Sequence, residues 1–113
     1  MKIFNITKNT ILATDAVLAS TYLARLKGLL GKKELGGSSA LILRPCNAIH
    51  TVFMCFAIDV LFVDKGNRVI KVIANLAPFR LTSVYFKAAY TVELPVGSIA
   101  SSNTRVNDIL EID

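Results

Sequence analysis

The sequence predicts a mainly β fold of the α+β kind: a small antiparallel β-barrel or sandwich, with one helix after the second strand and a short helical turn near the C-terminus. Three observations predict it. Short β-leaning runs recur between turn signals along most of the chain. One segment alone carries apolar residues at helical spacing over several turns. The 113 residues suffice for one hydrophobic core and are too few for two, so residues 1–113 are read as a single domain.

The runs KIFNIT and TILATDAVL are parted by Lys8-Asn9, a pair suited to a tight turn, so two strands open the chain. STYLARLKGLLGK follows, in which Ser20 can cap a helix whose Tyr22, Leu23, Leu26, Leu29 and Leu30 recur at helical spacing; Gly28 or Gly31 would end it. LGGSS at 35–39 reads as a loop, and ALIL resumes strand character before Pro45. IDVLFV and RVIKVIANL flank Asp64-Lys65-Gly66-Asn67, a hairpin signal in which Gly66 is expected to take the positive φ. NLAPFRLTSVYFK has Pro78 and no clean period, which predicts a long connection over one end of the sheet. AYTVEL alternates, with Tyr90, Val92 and Leu94 on one face and Thr91 and Glu93 on the other. Pro95-Val-Gly97 then turns the chain into a helical turn over 98–102 and a last strand, DILEI.

Hydrophobic residues make up 53% of the chain and charged ones 19%, a balance that excludes intrinsic disorder. The net charge of +5 leans toward acidic partners, nucleic acid among them, but the basic residues are spread along the chain and read as a solvated face. The densest group, Arg25, Lys27, Lys32 and Lys33, lies where cations would also complement a helix C-terminus. Asn5, Lys8, Asn9 and Asp15 interrupt any signal-peptide core, and the longest charge-free stretch, 45–58, is too short to cross a bilayer. A cytoplasmic protein with reduced thiols and no membrane contact is expected.

Chemistry-bearing residue types concentrate in CNAIHTVFMCFAID, spaced Cys46-x3-His50-x4-Cys55-x3-Asp59. In a strand, Cys46 and His50 would share one face and Cys55 and Asp59 the other, and in a helix Cys46 and Cys55 would point opposite ways. Only a bend between His50 and Cys55 could gather all four. The close ligand pairs of zinc sites are missing, so neither a metal nor another cofactor is expected. Cys55, between Met54 and Phe56, lacks the neighbouring cation that would activate a thiol. His50, between Ile49 and Thr51, reads first as a structural imidazole and second as a general base. Asp59 shares a strand face with Leu61 and Val63; if buried it needs Arg25, Arg44, His50 or backbone N–H groups as partners. GLLGKK lacks the frame of a phosphate-binding loop. Phe79, Tyr85 and Phe86 beside Arg80 and Lys87 could stack unpaired bases, although packing is the commoner use of such residues.

Taken together, RLKGLLGK from Arg25, IHTVFMCFAIDVLFVDKGNRV over 49–69, VELPVG over 92–97 and the closing VNDIL resemble a small bacterial and archaeal family known as domain of unknown function 192. The resemblance runs over nearly the whole chain in the same order. It implies a compact, mainly β domain with a helix after the second strand, and it implies no activity. Its signature positions fall on Arg25, Gly28, Gly31, His50, Met54, Asp59, Phe62, Asp64 and Gly66. Cys55 stands where the family usually has a basic residue and Ala57 where proline is common, and many family members carry an export signal that this opening does not resemble.

The function expected from these readings is a small non-catalytic domain that binds a ligand or a protein partner. Arg25, His50, Met54, Asp59 and Arg80 are its candidate binding residues, and its surface would form around His50, Met54 and the loop from Phe79 to Lys87. Two alternatives stand beside it: an enzyme using His50 with Asp59 as orienting carboxylate and Arg25 or Arg44 stabilising an anion, and nucleic-acid binding through the basic surface.

Overall fold

The structure, a computed structural model, describes residues 1–19, 38–52 and 54–113. Its strands are β1 (Ile3–Asn5), β2 (Thr10–Ala13), β3 (Asp15–Ala19), β4 (Ser39–Leu43), β5 (Ile58–Asp64), β6 (Val69–Leu76), β7 (Ala88–Leu94) and β8 (Leu110–Ile112), with a short helix α1 (Ser98–Ser102) between the last two. The helix expected over STYLARLKGLLGK lies outside the described residues, and with it Arg25, Gly28 and Gly31. The fold is mainly β, as expected.

The strands form two sheets, one of three in the order β2-β1-β8 and one of five in the order β3-β4-β7-β5-β6. They do not close into a barrel, which corrects half of the expected architecture. Nor is the pairing wholly antiparallel: β3 runs parallel to β4, with Ala16 beside Ala40 and Leu18 beside Ile42. Parallel neighbours cannot be joined by a tight turn, and the sequence separating Ala19 from Ser39 supplies the length such a connection needs. The run TILATDAVL is likewise two strands in different sheets. The break falls at Thr14, where the N–H groups of Thr14 and Asp15 both donate to the Ser38 carbonyl at 3.1 and 3.0 Å. A continuous β-leaning sequence does not show where a strand leaves one sheet for another, because both halves keep extended backbone.

Two apolar clusters hold the sheets. The first joins Ile3, Leu12 and Leu110 of the smaller sheet to Ile42, Leu61, Val63, Val92 and Leu94 of the larger one. The second covers the other face of the larger sheet, where Leu41, Leu43, Ile58, Val60 and Phe62 meet Ile49 and Met54 from the segment after β4. With both faces covered, β5 is buried from Ile58 to Val63 and is apolar there except at Asp59. The same covering buries Thr91 and Glu93, on the face that alternation sets opposite Tyr90, Val92 and Leu94.

The β5–β6 hairpin forms where the turn residues predict it. Asp64 Oδ1 accepts from the N–H groups of Gly66 and Arg68, both at 2.9 Å. Asn67 takes the left-handed conformation at φ 64°, and Gly66 does not. The Asx-type bonds of Asp64 shape the turn, and Asn tolerates positive φ better than other residues with a side chain. At the other end of β7, Gly97 does need its freedom, with φ 96° at the N-cap of α1.

Candidate functional site

Between β4 and β5 the described residues form no helix or named strand, and the connection from Ala77 to Lys87 lies alongside them. The two are laced together residue by residue. Asn47 carbonyl accepts from the Tyr85 N–H at 2.8 Å, and Ile49 carbonyl from the Thr82 N–H at 3.0 Å. His50 pairs with Leu81 in an isolated antiparallel bridge. Thr51 is the hub of the seam. Its N–H donates to Arg80 carbonyl at 2.9 Å, its carbonyl accepts from Phe79 N–H at 3.0 Å, and its hydroxyl donates to Ala77 carbonyl at 2.6 Å while accepting from Arg80 N–H at 2.9 Å. Nothing in the sequence marks Thr51 for this work, since its partners lie some thirty residues on.

The seam turns large apolar side chains outward. Phe79, Leu81 and Phe86 are 69%, 79% and 87% exposed, and Val84 is exposed beside them. Arg80 and Lys87 are also exposed on this connection. Phe79 sits at φ 61°, a left-handed conformation that costs a residue with a Cβ about 1–2 kcal/mol and persists only where its surroundings fix it. Tyr85 turns the other way, its ring centroid 4.5 Å from that of buried Phe62.

The remaining site residues named from sequence separate. Met54 is buried in the second cluster. His50 is half-buried, Cys55 exposed and Cys46 half-buried, its thiol within 3.2 Å of the Ala48 carbonyl. Asp59 lies on the opposite face of the sheet from Ile49 and Met54, with the parity of Leu61 and Val63. Its carboxylate is buried and accepts three backbone N–H groups: Asn75 at 2.9 Å on Oδ1, Gly97 at 3.1 Å and Ile99 at 2.9 Å on Oδ2. Of the partners expected for it, backbone donors are the ones found. Among the described residues no group of three or more His, Cys, Asp and Glu is placed to hold a metal ion.

Arg44, the other cation named from sequence, lies over the Tyr90 ring with its guanidinium carbon 4.4 Å from the centroid. The Tyr90 hydroxyl donates to Asn67 Oδ1 at 2.9 Å. Burial raises the Tyr90 pKa to about 12, with Arg44 opposing and Asp64 reinforcing the shift. Alternation placed Tyr90 on a strand face, but the pairing with Arg44 and Asn67 depends on three separate segments meeting. Glu93, wholly buried in β7, was also missed, because a carboxylate in an alternating strand reads as solvent-facing.

Comparison with known proteins bears on identity and fold. The family model DUF192, described as "Uncharacterized ACR", matches residues 3–112. A UPF0127 protein of Thermococcus sibiricus is 30% identical over 115 residues, covering 98% of this chain and 73% of its own length. A UPF0127 protein of Pyrococcus furiosus is 31% identical over 110 residues, covering 95% of this chain and 94% of its own. Among solved structures, a protein of unknown function from Novosphingobium aromaticivorans superposes with a TM-score of 0.81 at 21% identity, covering 98% of this chain and 82% of that one. That likeness is one of fold. The family match, nearly end to end and supported by archaeal relatives at 30% and 31% identity, carries the assignment: this chain belongs to the DUF192 family.

Proposed function

We propose that this chain is a single non-catalytic binding domain, which grips a protein segment through the ledge formed by Phe79, Leu81, Val84 and Phe86. One observation carries the reading: these side chains are held out in water on a connection whose backbone is fastened by hydrogen bonds to residues 47–51. Exposed apolar area on this scale is unfavourable by about 25 cal/mol per Å² unless something covers it. A rigid ledge also loses little conformational entropy on binding. Arg80 and Lys87 at its margins, on a chain of net charge +5, favour a partner segment with acidic residues flanking its apolar ones. His50 would contribute from the bridge beside Leu81, while Met54 supports the ledge from the core and Arg25 lies outside the described residues.

The finer readings of architecture and location belong with this proposal: two sheets packed as an open sandwich, working in the cytoplasm. The free thiols of Cys46 and Cys55 suit a reducing compartment. Among the described residues no helix is long and apolar enough to cross a membrane.

Selection from a random-peptide phage library against the purified protein tests the function. Enriched peptides should combine apolar and acidic residues, and their affinity should fall at least tenfold for a Leu81→Ser/Phe86→Ser variant that unfolds at the wild-type urea midpoint. No enrichment, or peptides indifferent to those substitutions, would sink the reading. Tight binding of oligo-dT with a steep salt dependence would replace it with nucleic-acid recognition, in which Phe79 and Phe86 stack bases. Hydrolysis lost in His50→Ala would replace it with catalysis.

A further inference from the structure

A second feature lies where the two sheets part, and it adjoins the seam at Asn47. A cavity of about 890 Å³ opens there, within the size range of small-molecule sites. Its walls come from both sheets: Leu18 of β3, Ile42 of β4 and Ala89 of β7 from the larger, Ile112 of β8 from the smaller. The cause is topological. Leu18 sits beside Ile42 in the parallel β3–β4 register and so shares its face, yet Ile42 is 1% exposed and Leu18 is 52% exposed. The three-stranded sheet covers one and stops short of the other.

The rim is polar and of one sign. Arg44 and Lys65 line it together with Asn47 and Asn67, and no carboxylate is among its described lining residues. Arg44 is oriented in advance by its place over the Tyr90 ring. Asn67 accepts the Tyr90 hydroxyl on its side-chain oxygen, which leaves its NH2 group as a donor. Asp64, which precedes Lys65 in sequence, directs Oδ1 to the Gly66 and Arg68 N–H groups within its own turn. An apolar wall beside two cations, with no carboxylate among the described lining residues, matches an organic anion better than a cation or a neutral molecule.

We infer that this cavity binds a small organic acid with an apolar body, its carboxylate between Arg44 and Lys65 and its body against Leu18, Ile42, Ala89 and Ile112. The proposal does not rest on the ledge: the two share only Asn47 among the residues named for them, and either can fail without the other. Arg44 supplies a planar fork matched to a carboxylate, and Lys65 a second, mobile charge on the hairpin turn.

The probe is octanoate, titrated into isotope-labelled protein and followed by NMR. Saturable shifts are expected at Ile42, Ala89 and Ile112, with affinity at least tenfold weaker for octanol and for acetate. Arg44→Leu and Lys65→Ala should each weaken octanoate about tenfold, the loss of one charge-assisted hydrogen bond. Lys65→Ala changes an exposed turn residue, so it tests the site even where Arg44→Leu disturbs folding. The proposal is overturned if no shifts saturate at millimolar octanoate, if octanol binds equally well, if Lys65→Ala binds octanoate as the parent does, or if the shifts map to Phe79–Phe86 instead.

Discussion

Asp59 uses its carboxylate to tie three parts of the chain together, reaching β6 at Asn75 and the start of α1 at Gly97 and Ile99. Replacing it with alanine removes three part-buried hydrogen bonds and leaves their N–H groups without this acceptor. Each such group costs about 1–3 kcal/mol. Asp59→Ala is therefore expected to lose about 3 kcal/mol or more in urea unfolding, with the Gly97 and Ile99 amides exchanging faster with solvent, while Asp59→Asn loses less. Tyr90 has a different signature. Its hydroxyl bond to Asn67 is worth about 1 kcal/mol, which Tyr90→Phe should remove at neutral pH. Its pKa is raised from 10.0 to about 12, so the unfolded chain ionises first. The native state thus has its full advantage below pH 10 and loses it as pH rises from about 10 to about 12. Alkaline unfolding should show this decline, and Tyr90→Phe should flatten the share that Tyr90 contributes.

The connection from Ala77 to Lys87 has little packing of its own and depends on the 47–51 segment for its shape. Thr51 alone accounts for four of the hydrogen bonds that hold it, two from the backbone and two from the hydroxyl. Thr51→Val keeps the volume and both backbone bonds but leaves Arg80 N–H without its hydroxyl acceptor and Ala77 carbonyl without its donor. A loss of about 1–3 kcal/mol is expected, concentrated locally: hydrogen exchange at Arg80 should accelerate more than exchange in β5. Global loss spread evenly over all strands would contradict the view that Thr51 serves the ledge. The β5–β6 hairpin, by contrast, carries its own turn chemistry in Asp64 and Asn67, which is why it was legible from four residues.

At the scale of the molecule, the two ends of the chain are clasped through Asp108. Lys8 Nζ reaches both of its oxygens at 2.9 and 2.8 Å, and Asn5 Nδ2 and the Arg105 N–H each donate to Oδ2 at 2.9 Å. Burial pulls the Asp108 pKa upward, but the hydrogen bonds from Asn5, Lys8 and Arg105 and the Lys8 charge outweigh it and hold the group below its ordinary value of 3.8. A lowered carboxylate pKa stabilises the fold above the unfolded value and ceases to do so as pH falls through the folded one. Asp108→Asn is therefore expected to cost about 1.5–3 kcal/mol at pH 7. The gap between variant and parent should narrow progressively below about pH 4 in urea titrations. A gap that stays constant down to pH 2 would show that the clasp acts by shape alone.

Local pattern determined the class of fold, the β5–β6 hairpin, the short helix after Gly97 and the family, because turn chemistry and β-leaning runs act over a few residues. It also placed the exposed aromatics on the Phe79–Lys87 connection. The tertiary structure alone decided that β3 runs parallel to β4, that the sheets part around Arg44 and Lys65, that Glu93 is buried and that Asp59 bonds to backbone amides. Each of these depends on which distant segment covers a given face, and a strand's own sequence holds no record of its neighbour.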